Sequence, residues 1–203
     1  MLQIDTLPLG DYQTNCYIVR PEGAKECLVI DPGYEPEIIL SFLKEKGLEL
    51  SVIALTHGHF DHVGAVRDLA AETGCRVYLD PKELTLPPML TAGPLYYTDT
   101  YADSDRVTLA GMDTLVLETP GHTPGSVCLL IDAHMFAGDT LFAGSCGRTD
   151  FPGGDADAEM ASLRKLAALP GDYHVLPGHM GASTLQHERE ANQYMAYAIR
   201  SGK

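Results

Sequence analysis

Positive charge is scarce in this sequence: 14 Lys and Arg stand against 28 Asp and Glu, a formal charge of −14. Such a surface repels phosphate backbones and anionic headgroups, so neither nucleic acid nor a membrane is expected as a partner. Long apolar runs are missing too. No stretch approaches the roughly 18 residues of a membrane span, and the opening MLQIDTLPLGDYQ has neither a basic n-region nor an apolar h-region. The five cysteines, Cys16, Cys27, Cys75, Cys128 and Cys146, are odd in number, scattered and never arranged as C-x-x-C. That argues against a disulfide framework or a zinc ribbon and for a reducing compartment, and a cytoplasmic location is the expectation. Three catalytic plans also lack their motif, since the chain has no G-x-S-x-G elbow, no P-loop and no G-x-G-x-x-G fingerprint.

A chain of 203 residues can bury a core without staples, and no linker, low-complexity tract or short repeat divides it, so residues 1–203 are read as one domain. LQIDTL, NCYIVR and CLVID alternate with turn clusters as strands do, and Ile38, Ile39, Phe42 and Leu43 then recur as one helix face that stops at Gly47. SVIAL reads as a buried strand, THGHFDH as a loop, and Val63, Val66, Leu69 and Ala70 as the inner face of a second helix stopped by Gly74. Residues 87–105 are rich in Pro, Gly, Thr and Asp, with Tyr96, Tyr97 and Tyr101 among them, which predicts a long surface loop of the kind that often serves function. TLVLET, SVCLLID, HMFAGD and YHVLP read as further strands, and 157–168 as a helix ended by Pro170-Gly171. A final helix is predicted from Ser183 to about Ile199, with Ser183 and Gln186 at capping-box spacing. Strands followed by a helix thus occur once in each half. A sheet must cover its apolar face and helices can cover the other, so the pattern predicts an α+β fold, a four-layer αββα sandwich.

The densest chemistry lies in Thr56-His57-Gly58-His59-Phe60-Asp61-His62, where three imidazoles and a carboxylate crowd together as no packing need explains. Imidazole with carboxylate suits zinc, iron, nickel or manganese, and a loop at a strand end lets neighbouring side chains converge on one cavity. Gly58 leaves that backbone free to turn.

THGHFDH is similar to the T-H-x-H-x-D-H signature of the metallo-β-lactamase superfamily, and the family's other pieces follow in order: TPGHTPGS with His122, FAGDTLF with Asp139 and LPGHMG with His179. A lone His or Asp is more often an ordinary polar residue than a ligand; seven in this order are not. The resemblance implies that His57, His59 and His122 bind one metal, that Asp61, His62 and His179 bind a second, and that Asp139 bridges them. It implies two divalent ions, zinc first with iron or manganese as alternatives, and a hydroxide between them as nucleophile, with Asp61 and Asp139 at the catalytic centre. His134, His174 and His187 match no ligand position and are assigned to the surface or to ordinary hydrogen bonds. Cys146 is read as a small buried hydrophobe.

GDTLFAGSCGRTDFPGGD and HMGASTLQHEREANQYM resemble the glyoxalase II-like branch of that superfamily, whose members hydrolyse glutathione thioesters such as S-D-lactoylglutathione. A small-molecule thioester is therefore the expected substrate. Persulfide dioxygenases with a single iron share the GRTDF segment and stand second, and lactone or phosphodiester hydrolases third. A member that holds metal without turnover stands last. His59 occupies a position where flavodiiron relatives carry Glu, which argues against that redox branch. Arg148 sits where the longer glyoxalase II enzymes carry a basic residue and is the candidate substrate-binding cation, with pairing to Asp150 as an equal alternative. Met180 and Gly181 stand in place of a substrate-contacting tyrosine, and the chain ends at Lys203 before any basic helical extension, so glutathione is expected to be gripped loosely.

Overall fold

The computed structural model describes residues 1–202. One six-stranded sheet is ordered β1 (Leu2–Leu9), β2 (Thr14–Pro21), β3 (Glu26–Ile30), β4 (Glu49–Ala54), β5 (Arg76–Leu79) and β6 (Asp99–Thr100). The second half supplies β7 (Arg106–Leu109), β8 (Met112–Glu118), β9 (Val127–Ile131), β10 (His134–Gly138), a small ribbon of β11 (Leu141–Phe142) and β12 (Ser145–Cys146), then β13 (His174–Pro177) and β14 (Ser183–Thr184). Its main sheet runs β14-β13-β10-β9-β8-β7. Alternation along each strand decides the layers. Tyr17, Val19, Leu28 and Ile30 turn inward onto Val116, Leu129, Ile131 and Phe136 of the facing sheet, while Cys16, Ile18, Cys27 and Val29 turn out under helices α1 (Pro36–Lys46) and α3 (Val66–Thr73). The second sheet does the same, with Cys128, Leu130 and Met135 covered by α5 (Ala156–Ala167) and by the C-terminal helix. The predicted αββα sandwich is thereby observed. Sheets covered on both faces explain why these strands read as continuous apolar runs. Four of the five cysteines are buried filling of this kind. Among the described residues no helix is long and apolar enough to cross a membrane.

Five sequence expectations are corrected. The THGHFDH segment is not loop throughout: Phe60–Val63 forms a helical turn, α2, and the predicted second helix is split by Gly64 and Ala65 before α3. Residues 87–105 hold a short helix, α4 (Pro88–Thr91), and strand β6, and Tyr101 is buried against Tyr78 with its hydroxyl donating to the Leu55 carbonyl. The aromatic residues that looked like loop polarity are thus partly core. Ser183 does not cap the last helix, because it pairs with Val175 in β14 and gives its hydroxyl to the buried Glu188. Thr184 caps instead, accepting from His187 N, and the helix breaks at Asn192 into α6 (Leu185–Ala191) and α7 (Gln193–Ser201). Asn192 holds φ −77° and ψ 116° and accepts from Tyr194 N and Met195 N, a side chain competing successfully with the helical backbone. Thr184→Ala is accordingly expected to cost about 1 kcal/mol, roughly 2–4 °C of thermal midpoint for a chain of this size, whereas Gln186→Ala should cost little. Thermal melts of both variants check the assignment.

Candidate metal centre

The site forms where strands end. His57 follows β4, His122 follows β8, Asp139 follows β10 and His179 follows β13, and the two sheets are tied there by Val127 N to Thr56 O at 2.9 Å and Asn15 N to Gly178 O at 2.8 Å. The small residues flanking each ligand have a steric reason. A Cβ at Gly178 would fall on Asp139 Oδ1 and His62 Cε1, and one at Gly138, whose φ is +49°, would fall on the Thr56 side chain.

All seven ligand candidates come together. His57, His59 and His122 form one group, and Asp61, His62 and His179 another, each with ligand atoms within 4.8 Å of one another. Asp139 lies between them: Oδ1 is 3.4 Å from His62 Nε2, and Oδ2 is 3.6 Å from both His122 Nε2 and His179 Nε2. Four imidazoles have Nδ1 engaged outside the cluster, His57 with Thr56 Oγ1 at 3.1 Å, His62 with Asp31 at 2.9 Å, His122 with the Arg148 carbonyl at 2.8 Å and His179 with the Tyr12 carbonyl at 3.3 Å, whereas His59 Nδ1 lies 2.8 Å from His122 Nε2. A donating Nδ1–H leaves the Nε2 lone pair for a cation. His57 Nε2 and Asp139 Oδ1 are buried with no hydrogen-bond partner, which a bound ion would remedy. Asp31, near His57 and His62, spends its oxygens on Thr56 N at 2.8 Å, Thr56 Oγ1 at 2.6 Å and His62, so it orients ligands.

Electrostatics agree with a cation site. Burial and the neighbouring imidazoles hold His57 well below the ordinary histidine range, and burial with His122 and His62 brings His59 down to about 4, so both rings are neutral, the form a metal takes. Burial lowers His62 as well, but Asp139, Asp31 and Asp61 outweigh it and hold that ring up to about 9. Asp61 is held below the usual carboxylate range, against its burial, by His179 and His62. Positive charge between these carboxylates is strongly favoured. The donor set, nitrogen and carboxylate oxygen without thiolate, fits two divalent transition ions.

The cleft above the cluster measures about 490 Å³. Arg148 lines it but lies flat on Phe151, 3.9 Å from the ring centroid, and forks onto Asp150 at 2.7 and 2.8 Å, the pairing that brings Asp150 down to about 2. Cys146 lines the cleft and, half-buried, packs against the core behind it; burial, with Glu159 nearby, pushes its thiol up to about 12, so it is no thiolate nucleophile. His134 and His174 stack on each other across β10 and β13, remote from the site as expected.

Three supporting acids, Asp31, Glu83 and Glu159, were not read from the sequence. Buried Glu83 accepts from Gly58 N at 2.5 Å and Gly125 N at 2.6 Å, joining the loop of His57 and His59 to the loop of His122. Glu159 accepts from His122 N at 3.1 Å, and burial pushes it up to about 8. Asp31, ending the apolar run CLVID, carried a visible signal; Glu83 and Glu159 sit in ordinary helical contexts and carried none.

Comparison with known proteins fits this geometry. The family model described as the metallo-beta-lactamase superfamily matches residues 9–179. The chain is 32% identical over 209 residues to the hydroxyacylglutathione hydrolase GloC of Haemophilus influenzae, covering 96% of this chain and 98% of that protein. Among solved structures it is similar to the BLEG-1 B3 metallo-beta-lactamase, at 35% identity and TM-score 0.87 over 95% of this chain and 99% of the other. It is also similar to TTHA1623 in a di-iron-bound form, at 37% identity and TM-score 0.82 over 94% and 99%. With its fold, its His/Asp clusters and this match over most of its length, the chain belongs to the metallo-beta-lactamase superfamily, as a metal-dependent hydrolase of that fold.

Proposed function

We propose that the protein is a binuclear metallohydrolase that cleaves thioesters, with S-D-lactoylglutathione or a related acyl thioester as substrate. The observation that carries this reading is the pair of ligand groups sharing Asp139 on the floor of an open cleft. His57, His59 and His122 would hold one ion, Asp61, His62 and His179 the other, and Asp139 both. Bound divalent ions supply Lewis acidity toward the attacked carbonyl and acidify solvent water. The chain's own part is orientation: Asp31, Thr56 and the Arg148 carbonyl fix the imidazole rings, while Asp61 and Asp139 concentrate negative charge where a cation and a proton must be handled. The hydroxyacylglutathione hydrolase named above supports the thioester, and the di-iron form of TTHA1623 keeps iron beside zinc as the metal.

Protein purified without chelator is expected to carry two equivalents of metal, to hydrolyse lactoylglutathione and to consume no oxygen with glutathione persulfide. One iron per chain together with oxygen uptake would replace this reading by a persulfide dioxygenase.

A further inference from the structure

The walls of the cleft say more about the substrate than its floor does. Phe151 stands edge-on to His59 at 6.1 Å between centroids, Phe142 stands 6.3 Å from His179, and Phe60 packs against Tyr12 at 5.5 Å. Tyr12 and Met180, 59% and 62% exposed, continue this surface to the mouth. Aromatic groups thus flank both ligand groups, from separate segments of the chain. Cationic groups for a charged substrate are lacking: among the described residues Arg148 is the one Lys or Arg lining the cleft, and Asp150 already holds both arms of its fork. Only the Nη1 side of that exposed guanidinium is left, so at most one of a glutathionyl ligand's two carboxylates has a cationic side chain of the cleft to meet.

We propose that the part of the substrate lying against these walls is uncharged and apolar, so that the preferred substrate is a neutral acyl thioester or ester carrying an alkyl or aryl group, with glutathione's carboxylates adding nothing to recognition. This rests on the hydrolase reading of the same site. Apolar exposed side chains cluster at recognition sites because burying them against a ligand removes both surfaces from water.

The test is binding of non-hydrolysable thioethers to the metal-loaded protein by calorimetry, using S-methyl-, S-butyl- and S-hexyl-N-acetylcysteamine and S-hexylglutathione. Each added methylene is expected to tighten binding about fourfold until the cleft is filled, the equivalent of about 0.8 kcal/mol. S-Hexylglutathione should bind no tighter than the neutral hexyl compound. Phe142→Ala should weaken the hexyl compound about tenfold while leaving the methyl compound unchanged. Affinity that is flat with chain length, or a glutathione compound more than tenfold tighter, overturns the inference. Turnover separates it from the broader reading. If the binding series rises while no thioester is hydrolysed and neutral esters are, the thioesterase assignment fails and the apolar subsite stands. If lactoylglutathione is hydrolysed and the series is flat, the reverse holds.

Discussion

Asp139→Asn is expected to release both metal equivalents together and to lower kcat/KM for thioester hydrolysis by at least about a hundredfold, some 2.7 kcal/mol of transition-state stabilisation. The carboxylate faces His62 with one oxygen and both His122 and His179 with the other, which places it between the two groups. Asn keeps the shape but removes the charge, and turns one of these atoms into an N–H donor aimed at a cation. His59→Ala, by contrast, removes a ligand from the His57, His59 and His122 group and leaves Asp61, His62 and His179 intact, so one equivalent should remain. Elemental analysis of both variants, alongside circular dichroism to show that the sandwich is retained, checks the difference. Loss of a single equivalent from the Asn variant would argue against a shared ligand. Full occupancy with unchanged turnover would remove Asp139 from the site.

The candidate ligands were legible because THGHFDH, TPGHTPGS, FAGDTLF and LPGHMG carry the family resemblance, and the fold brings His57, His59, Asp61, His62, His122, Asp139 and His179 together. The sandwich was legible for a related reason: sheets buried on both faces leave unbroken apolar strands such as VCLLI, each of whose residues is buried. What failed depended on distant partners. Tyr101 looks like a loop tyrosine until the Leu55 carbonyl and the Tyr78 ring are brought to it by β4 and β5. Ser183 has the spacing of a cap, yet a strand pairing with Val175 claims its backbone first. Arg148 is the local exception, since Asp150, two residues on, was already an equal alternative and the bidentate fork is now observed. Hydrogen bonds across long sequence separations, unlike periodicity, leave no local trace.

Glu83 shows the same limit with the largest structural consequence. Its two oxygens each take one backbone amide, Gly58 N and Gly125 N, so a single side chain fixes the distance between the His57/His59 loop and the His122 loop. The two glycines make room for it: a Cβ at Gly125 would lie 2.9 Å from Oε1, and one at Gly58 3.0 Å from Oε2. Burial pushes this carboxyl up to about 7 in spite of the donors from Thr123, Gly125 and Gly58, so its position is held against a desolvation cost. Glu83→Gln is nearly isosteric but must present an N–H₂ to one of two N–H groups. One buried amide then lacks an acceptor, at about 1–3 kcal/mol, or roughly 2–12 °C of thermal midpoint. Glu83→Ala leaves both unpaired and should lose about twice as much. A purely structural role would stop there, so the decisive readout is metal affinity. Supporting groups of metal ligands are worth about 10–100-fold in affinity, and Glu83→Gln is expected to weaken metal binding within that range. Leu43→Ala, a cavity between α1 and the first sheet, provides a destabilised control. If the control loses as much stability and as much metal, Glu83 only contributes to the core; if it loses stability while keeping its metal, Glu83 positions the ligand loops.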